Sequence, residues 1–208
     1  MSSDLGLYQP YDPEIVGRVN DLPRSDARRA FDRCMNTKPF RLLTLAHLLL
    51  ADDVILASDD KSVQALNDWF LAHLEADPDR PGQPLPIWYS IVHDIGLFLG
   101  DVIIARNINL RWEFFTWGKS NVAFQRHVIM GFTGEDFKLH TNIDIDRMVN
   151  AYAHGVVEKR GSAPEYGTVI VRGVVVDVDA AAARYRDVEI EKDAFVRWVR
   201  AADLRRSE

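Results

Sequence analysis

The residues whose types and spacing first suggest chemistry are His93 and Asp94, in the run "HDIG". In some phosphohydrolases such a pair binds a metal ion with further His and Asp ligands, and His47, His73 and Asp101 are available here. Adjacent residues of an α-helix point about 100° apart, however, so the two side chains diverge. The helix also leads directly into an aromatic hairpin, which an all-helical phosphohydrolase would not have at that point. We therefore expect a partly buried polar edge and not a metal site.

Further polar residues lie beside this helix in the segments that follow. Arg126 falls within a predicted apolar strand face. It therefore needs a partner, which Asp94 or Asp101 could supply, or it lies at the sheet edge and reaches water. One possible site is a pocket between the helix and the hairpin. The binding residues predicted for it are His93, Asp94, Asp101, Glu113, Trp117, Arg126 and His127.

Established catalytic and cofactor motifs do not occur in the sequence. There is no HExxH spacing, no GxSxG elbow, no phosphate-binding glycine loop and no dinucleotide fingerprint. Asp144 and Asp146 alternate like calcium ligands, but their run lacks the glycine and the later glutamate of a calcium loop, so a helix cap explains them better. The sequence thus predicts no catalytic residue, no metal ligand and no cofactor, and it favours a protein that is not an enzyme.

The composition predicts a cytoplasmic protein. The chain has 208 residues, a net charge of −6 and a single cysteine, Cys34. One cysteine forms no internal disulfide, which favours a reducing compartment. The N-terminus does not resemble a secretory signal, and the apolar runs are shorter than a membrane span. Because the basic residues form no stripe, we expect neither nucleic-acid nor membrane binding.

Helical patterns dominate the N-terminal third. Ser25 and Thr37 are each suited to begin a helix, with Pro39 in the first turn of the second, and Ser58 is suited to begin a third. The proline-rich run 76–86 then predicts a long loop and a possible boundary within the chain.

A central helix is predicted from Ile87 to Arg106. Gly96 and Gly100 clear the side of this helix that also carries His93. Each glycine costs about 1 kcal/mol relative to alanine in a helix interior. The bare side therefore predicts close packing against the sheet or another helix, in addition to the apolar stripe on the other side.

Two aromatic and β-branched runs on either side of residues 118–122 predict a β-hairpin. A five-residue loop pairs Glu113 with His127 and collects nearly all apolar side chains on one face. A four-residue loop pairs Glu113 with Arg126 and scatters them. We favour the five-residue loop because one-sided burial fixes a register. Glu113 would then raise the pKa of His127.

The remaining patterns complete an α+β fold. Residues 136–143 predict a third strand, Asp144 begins a helix, residues 167–178 predict a strand with a bulge or bend at Gly173, and residues 191–204 predict a last helix. The expected class is α+β, with a helical N-terminal part, a central buried helix packed on a mainly antiparallel sheet, and a C-terminal helix. Residues 1–208 are expected to form a single domain.

The run "LFLGDVIIARNINLRWEF" resembles a pattern of small, uncharacterised bacterial α+β domains, in which an LGxxΦ helix precedes a Trp-bearing strand. The resemblance covers Trp88 to Gly155 and implies a fold more than a function, because its residues are mostly packing residues. Some proteins of this broad type look like immunity or accessory proteins of bacterial toxin systems. The residues that carry the resemblance are Leu99, Gly100, Asp101, Ile103 and Trp112.

The leading hypothesis is a non-enzymatic, accessory or immunity-like bacterial protein that binds another protein, with homo-oligomers also possible. It follows from the acidic charge, the lack of a catalytic constellation, and the five Trp and six Tyr, which are favoured at interface centres. The alternative is a hydrolase or small-ligand-binding protein that uses the pocket between helix and hairpin. Since a structural metal contributes folding free energy, we expect chelators to leave stability unchanged.

Overall fold

The computed structural model describes residue 5 and residues 8–132, 142–160, 168–171, 174–177 and 189–204, with the backbone alone at 168–171, 174–177 and 203–204. The predicted α+β class is confirmed: helices occur at both ends, and a central helix packs on an antiparallel sheet. The described strands are β1 (Arg111–Phe114) paired with β2 (His127–Met130), and β3 (Thr168–Val171) paired with β4 (Val174–Asp177). The described α-helices are α1 (Arg24–Leu49), α2 (Asp60–His73), α3 (Pro86–Arg106), α4 (Ile145–Arg160) and α5 (Ala194–Leu204).

The central helix α3 organises the core, and α1, α4 and α5 all pack against it. Among the described residues it is the one helix long and apolar enough to span a membrane, whereas the apolar runs of the sequence had predicted none. Its most apolar window has a mean hydropathy of 1.5, and 72% of that window is buried inside the protein. Such burial is consistent with the core helix of a soluble protein.

Close contacts occur at both glycines of α3, as the sequence predicts. A Cβ atom at Gly96 would lie 2.9 Å from the Cα atom of Asp146 in α4. A Cβ atom at Gly100 would lie 2.1 Å from the Cζ2 atom of Trp112 in β1. A second helix and a strand therefore press on α3 where it has no side chains.

The prediction of two helices beginning at Ser25 and Thr37 is wrong, because α1 is one continuous helix with Pro39 inside it. Buried side chains occur from Ala27 to Leu49, along nearly the whole helix. Both halves of α1 therefore pack against the rest of the protein. This packing outweighs the cost of a proline in a helix interior, which is about 3 kcal/mol.

The connections around α2 differ from prediction in detail. Asp59 caps α2, and its carboxylate accepts a hydrogen bond from the backbone N–H of Ser62 at 3.0 Å, whereas Ser58 was predicted as the cap. In the loop before α3, Ala76 and Pro84 form an isolated antiparallel bridge. The main core cluster contains residues from both sides of this loop.

Both predicted hairpin registers are wrong. Glu113 pairs with Val128 and Phe114 pairs with His127, so Glu113 faces neither His127 nor Arg126. A shift of one residue moves every side chain to the opposite face. His127 therefore lies on the same face as Phe114 and near Trp112, with the two ring centroids of Trp112 and His127 5.8 Å apart.

The predicted registers fail because β2 is buried on both faces. The connection between β1 and β2 is longer than predicted, and it folds back to form a separate apolar cluster of Phe115, Ala123, Val128 and Met130. On the other face, Ile129 belongs to the main core. One-sided burial was the assumption that selected the predicted register, and it does not hold here.

The remaining described elements agree with the predictions at the cap of α4 and differ from them at residues 167–178. The carboxylate of Asp144 accepts a hydrogen bond from the N–H of Arg147 at 3.1 Å, which is the predicted cap of α4. Ile143 forms an isolated antiparallel bridge with Ile129, while most of the predicted third strand lies outside the described residues. Residues 167–178 were predicted as one strand with a bulge or bend at Gly173, but β3 and β4 are two strands that pair with each other in antiparallel fashion, and Gly173 lies outside the described residues.

Candidate functional site

A cavity of about 160 Å³ lies where α1, α3, β2 and α4 meet, beneath the N-terminal segment (residues 8–22). Part of its lining is apolar, from Pro13, Ile15, Val19, Ala30 and Phe31. The rest of the lining carries functional groups, from Tyr11, Cys34, His93, Gln125, Arg126, His127 and Asp146.

Three elements bring the titratable groups together. His93 lies in the first half of α3, His127 is the first residue of β2, and Asp146 lies in the first turn of α4. Because Gly96 has no side chain, the backbone of Asp146 reaches α3 within one helical turn of His93. The close packing of α4 on α3 therefore creates the site.

His93 contacts two polar partners through its two ring nitrogens. Nε2 lies 3.8 Å from the Sγ atom of Cys34, and Nδ1 lies 3.5 Å from the Oδ1 atom of Asp146. Burial lowers the pKa of His93, but the hydrogen bonds to Asp146 and Cys34 and the negative charge of Asp146 outweigh it and raise the pKa to about 10. Burial also opposes ionisation of Asp146, yet the hydrogen bond from His93 and the neighbouring positive charges hold its pKa well below the usual range.

His127 has the opposite electrostatic character. Its Nε2 atom is buried and makes no hydrogen bond within the part of the chain that the structure describes, although the Oδ2 atom of Asp146 lies 3.7 Å away. Burial, together with the positive charges of His93 and Arg126, lowers the pKa of His127 to about 4 despite the carboxylate of Asp146. The predicted rise in this pKa is therefore wrong, since its cause, a facing Glu113, is absent from this face. At neutral pH the site therefore contains a charged imidazole, His93, and a neutral imidazole, His127.

Arg126 is held by two carboxylates. Its Nε donates to Asp144 Oδ2 at 2.6 Å, and one of its terminal nitrogens donates to Asp146 Oδ2 at 3.0 Å. The predicted partners, Asp94 and Asp101, are not its partners, and the predicted reach to water does not apply because the side chain is largely buried. Arg126 and His93 thus contact different oxygens of the Asp146 carboxylate.

Asp94 points away from the cavity, as the angle between adjacent helical residues predicts. It is fully buried, so the expected partly buried edge is wrong for this residue. Its carboxylate accepts hydrogen bonds from Nε and a terminal nitrogen of Arg41 at 2.9 and 2.6 Å, and from the hydroxyl of Tyr8 at 2.6 Å. This is a satisfied structural ion pair beside the site.

Three other predicted binding residues lie outside the cavity. Asp101 accepts hydrogen bonds from Lys38 at 2.5 Å and from the indole of Trp112 at 2.8 Å. Glu113 pairs with Arg111 at 2.7 Å on the exposed side of β1. Trp117 lies in the connection between the strands, and its side chain is partly exposed. Of the seven predicted residues, the structure brings His93, Arg126 and His127 together.

The N-terminal segment covers the cavity by means of side-chain anchors. Tyr11 stacks on the ring of His93 with a centroid distance of 4.3 Å, and its backbone N–H donates to the hydroxyl of Ser90 at 2.9 Å. Buried Gln125, whose φ is 64°, donates from Nε2 to the carbonyl of Val19 at 2.9 Å. Residues 8–22 contain one short 3-10 turn, Val19–Asp21, so these anchors and not a regular element hold them in place.

Sequence reasoning missed Tyr11, Cys34 and Asp146 as members of the site. Asp146 carried a signal, because its carboxylate follows the capping residue Asp144 by two positions and is not needed for the cap. Cys34 and Tyr11 carried none, since a cysteine in an amphipathic helix and a tyrosine in an irregular segment are ordinary packing residues.

His93, His127 and Asp146 could hold a metal ion. Each offers one ligand atom, and these atoms all lie within 4.8 Å of one another. No known protein family matches the sequence, and no curated protein or solved structure is significantly similar to it.

Proposed function

We propose that the protein binds a small polar ligand in the cavity beneath the N-terminal segment. The observation that carries the proposal is the Nε2 atom of His127, which is buried without a hydrogen bond among the described residues and belongs to the cavity lining. A buried polar atom without a partner is costly, so native proteins usually satisfy it with water, an ion or a ligand. A ligand donor or acceptor at this atom would remove the cost.

The size and lining of the cavity define the ligand class. At about 160 Å³ the cavity holds roughly the volume of five water molecules, at about 30 Å³ each. The ligand, or the part of it that enters, is therefore small. Apolar side chains such as Ile15 and Phe31 suit a short carbon skeleton, while His93 and His127 suit an oxygen-bearing group.

The site also has the means for acid–base chemistry, which supports a hydrolase as the form of this function. Enzymes commonly pair two titratable groups whose surroundings drive their pKa values apart. His93, stabilised as a cation by Asp146, suits proton donation, whereas neutral His127 suits proton acceptance. Cys34 beside His93 adds a thiol at 3.8 Å from the imidazole.

A ligand screen on chelator-treated full-length protein tests the proposal. Small polar metabolites should raise the melting temperature of the wild type. Ala30→Leu, which fills the cavity from α1, should abolish the shift, and Ala105→Leu, on the exposed surface of α3, should keep it. A shift that survives Ala30→Leu would place the ligand elsewhere and overturn the proposal.

The cytoplasm is the compartment that we propose for this function. The support is chemical: the lone Cys34 is buried and unbonded, and a free thiol persists best in a reducing environment.

A second candidate function, protein binding, is favoured by an exposed row that runs along α1 to its C-cap residue, Leu50. Phe40, Leu43 and Leu50 are exposed apolar residues, and exposed His47 completes a 3-4-3 spacing with them. Such spacing forms the contact seam between paired helices. The row is self-complementary: in an antiparallel pair, Phe40 faces Leu50 and Leu43 faces His47, so we propose a second copy of this chain as the occupant.

Light scattering coupled to gel filtration tests this second candidate. The wild type should contain dimer at micromolar concentration, and Leu43→Glu should be monomeric. Ile108→Glu, at an exposed apolar position outside the row, should remain dimeric. A wild type that stays monomeric at high micromolar concentration would remove the candidate.

A further inference from the structure

The lining of the cavity contains a ligand set for a divalent metal ion. Two imidazoles and one carboxylate face one another: the Nδ1 atom of His93, the Nε2 atom of His127 and the carboxylate of Asp146. This combination of nitrogen and oxygen donors suits first-row transition metals, whereas calcium and magnesium prefer oxygen ligands. Open positions beside such a set are typical of catalytic zinc and non-haem iron sites.

The separations between these atoms are close to those in a metal site. Metal–ligand bonds of about 2.0–2.1 Å place tetrahedral ligand atoms about 3.4 Å apart. Here the Nδ1 atom of His93 lies 3.5 Å from Asp146 Oδ1, and the Nε2 atom of His127 lies 3.7 Å from Asp146 Oδ2. The third separation, between the two histidines, lies within 4.8 Å. Two of the three separations are therefore close to the tetrahedral value.

The surroundings support the ligands as an outer shell does in metal proteins. Metal-bound histidines usually have a partner on their other nitrogen, and the Nε2 atom of His93 has the thiol of Cys34 at 3.8 Å. The carboxylate of Asp146 is oriented by Arg126, which donates to Oδ2 at 3.0 Å. Binding of the ion would displace the proton of His93, because a histidine ligand must be neutral.

The ion would have room for a further ligand. Cys34 approaches the nitrogen of His93 that faces away from Asp146, so it supports the ring and does not complete the coordination sphere. The open side is the cavity itself, whose lining includes all three ligand residues. A water molecule or a polar group of a bound ligand can therefore occupy the remaining position.

We infer that His93, His127 and Asp146 form a binding site for one divalent transition-metal ion, Zn²⁺ or Fe²⁺, that opens into the cavity. The inference deepens the proposed function and rests on it for the role of the open position. In the metal-bound protein the two imidazoles are ligands, so the bound molecule would contact the ion in place of the Nε2 atom of His127, and the proton transfer proposed for the two histidines belongs to the metal-free site. The inference also replaces the expectation of no metal, which considered His93 together with Asp94, a residue that faces Arg41.

Calorimetric titration of chelator-treated full-length protein with Zn²⁺ tests the inference. The wild type should bind one ion per chain. His127→Gln and Asp146→Asn should each weaken binding by more than about 100-fold, because loss of an outer-shell partner alone costs about 10–100-fold. His154→Gln, in a histidine near Tyr89 and outside the cavity lining, should bind as the wild type does. Co²⁺ should give visible absorption bands in the wild type that disappear in His127→Gln.

Three results separate the possible outcomes. If the wild type binds Zn²⁺ no more tightly than His127→Gln does, the metal site is overturned. This comparison holds even if Asp146→Asn fails to fold because it loses its contact with Arg126. Equal weakening in His154→Gln would mean surface binding and would also overturn it. If Zn²⁺ binds as expected but no metabolite raises the melting temperature of the metal-free wild type, the metal site stands and the ligand proposal fails. The same conclusion follows if Zn²⁺ binds as expected but Ala30→Leu keeps such a rise.

Discussion

The Cα atom of Asp146 packs directly on Gly96, so closely that a Cβ atom on residue 96 would come within 2.9 Å of it. This contact sets the distance between α4 and α3, and with it the position of the Asp146 carboxylate beside His93. The glycine is thus a positioning residue for the site, although it contributes no functional group.

Gly96→Ala is expected to separate α4 from α3 and to move Asp146 away from His93. Overpacking of a close contact costs about 1–3 kcal/mol, and this loss outweighs the roughly 1 kcal/mol that alanine gains in helix propensity. Urea unfolding should show lower stability, and Zn²⁺ affinity should fall with it. Ala105→Ser, on an exposed position of α3, is the control, and equal stability of Gly96→Ala and the wild type would contradict the prediction.

Gly100→Leu is expected to destabilise the protein more strongly, because a Cβ atom there would already lie 2.1 Å from the ring of Trp112. The indole is held by its hydrogen bond to Asp101 at 2.8 Å, so it has little freedom to move aside. A loss of about 1–3 kcal/mol or more is expected in urea unfolding. A shift in tryptophan emission should accompany it, and an unchanged unfolding midpoint would mean that this side of α3 is open.

Arg41→Met is expected to cost about 3–5 kcal/mol, because it leaves the carboxylate of Asp94 buried without its charge partner. The double variant Arg41→Met/Asp94→Asn should recover much of that loss, since a neutral amide is cheaper to bury than an unpaired carboxylate. A thermodynamic cycle from urea unfolding of the single and double variants measures the coupling. Additive losses would show that the pair is not an energetic unit.

Asp60 is expected to make stability depend on pH through its ion pairs with Arg106 and Arg200, both at 2.8 Å. Hydrogen bonds from these two side chains hold the pKa of Asp60 below its ordinary value. Its contribution is therefore complete above the unfolded pKa and is lost as pH falls through the folded one. Because the carboxylate is partly exposed, the contribution is about 0–1 kcal/mol for each pair. The stability gap between wild type and Asp60→Asn should be present at about pH 7 and should shrink at about pH 3; a gap of constant size would refute this assignment.

Local patterns predicted the central helix and the cap at Asp144, because each depends on neighbours within a few residues. Close packing at Gly96 and Gly100 was predictable from the cost of glycine in a helix, although the residues that pack there were not. The hairpin register was not predictable in the same way. It depends on the connection between the strands, which folds back and buries Val128 and Met130. The periodicity of the strands themselves does not indicate that this burial occurs. The site was harder still, because the meeting of His127 with His93 and Asp146 depends on the register and on the approach of α4 to α3.

The anchors of the N-terminal segment have a consequence for the order of folding. The hydrogen bonds of Tyr8 to Asp94 and of Tyr11 to Ser90 join residues 86 and 79 positions apart. Long-range contacts of this kind form late, because the chain must first lose the entropy of closing a large loop. During synthesis the segment leaves the ribosome before α3, yet it can dock only after α3 has formed. The N-terminal segment is thus made before α3 but folds after it, and the cavity acquires its cover only once α3 has formed.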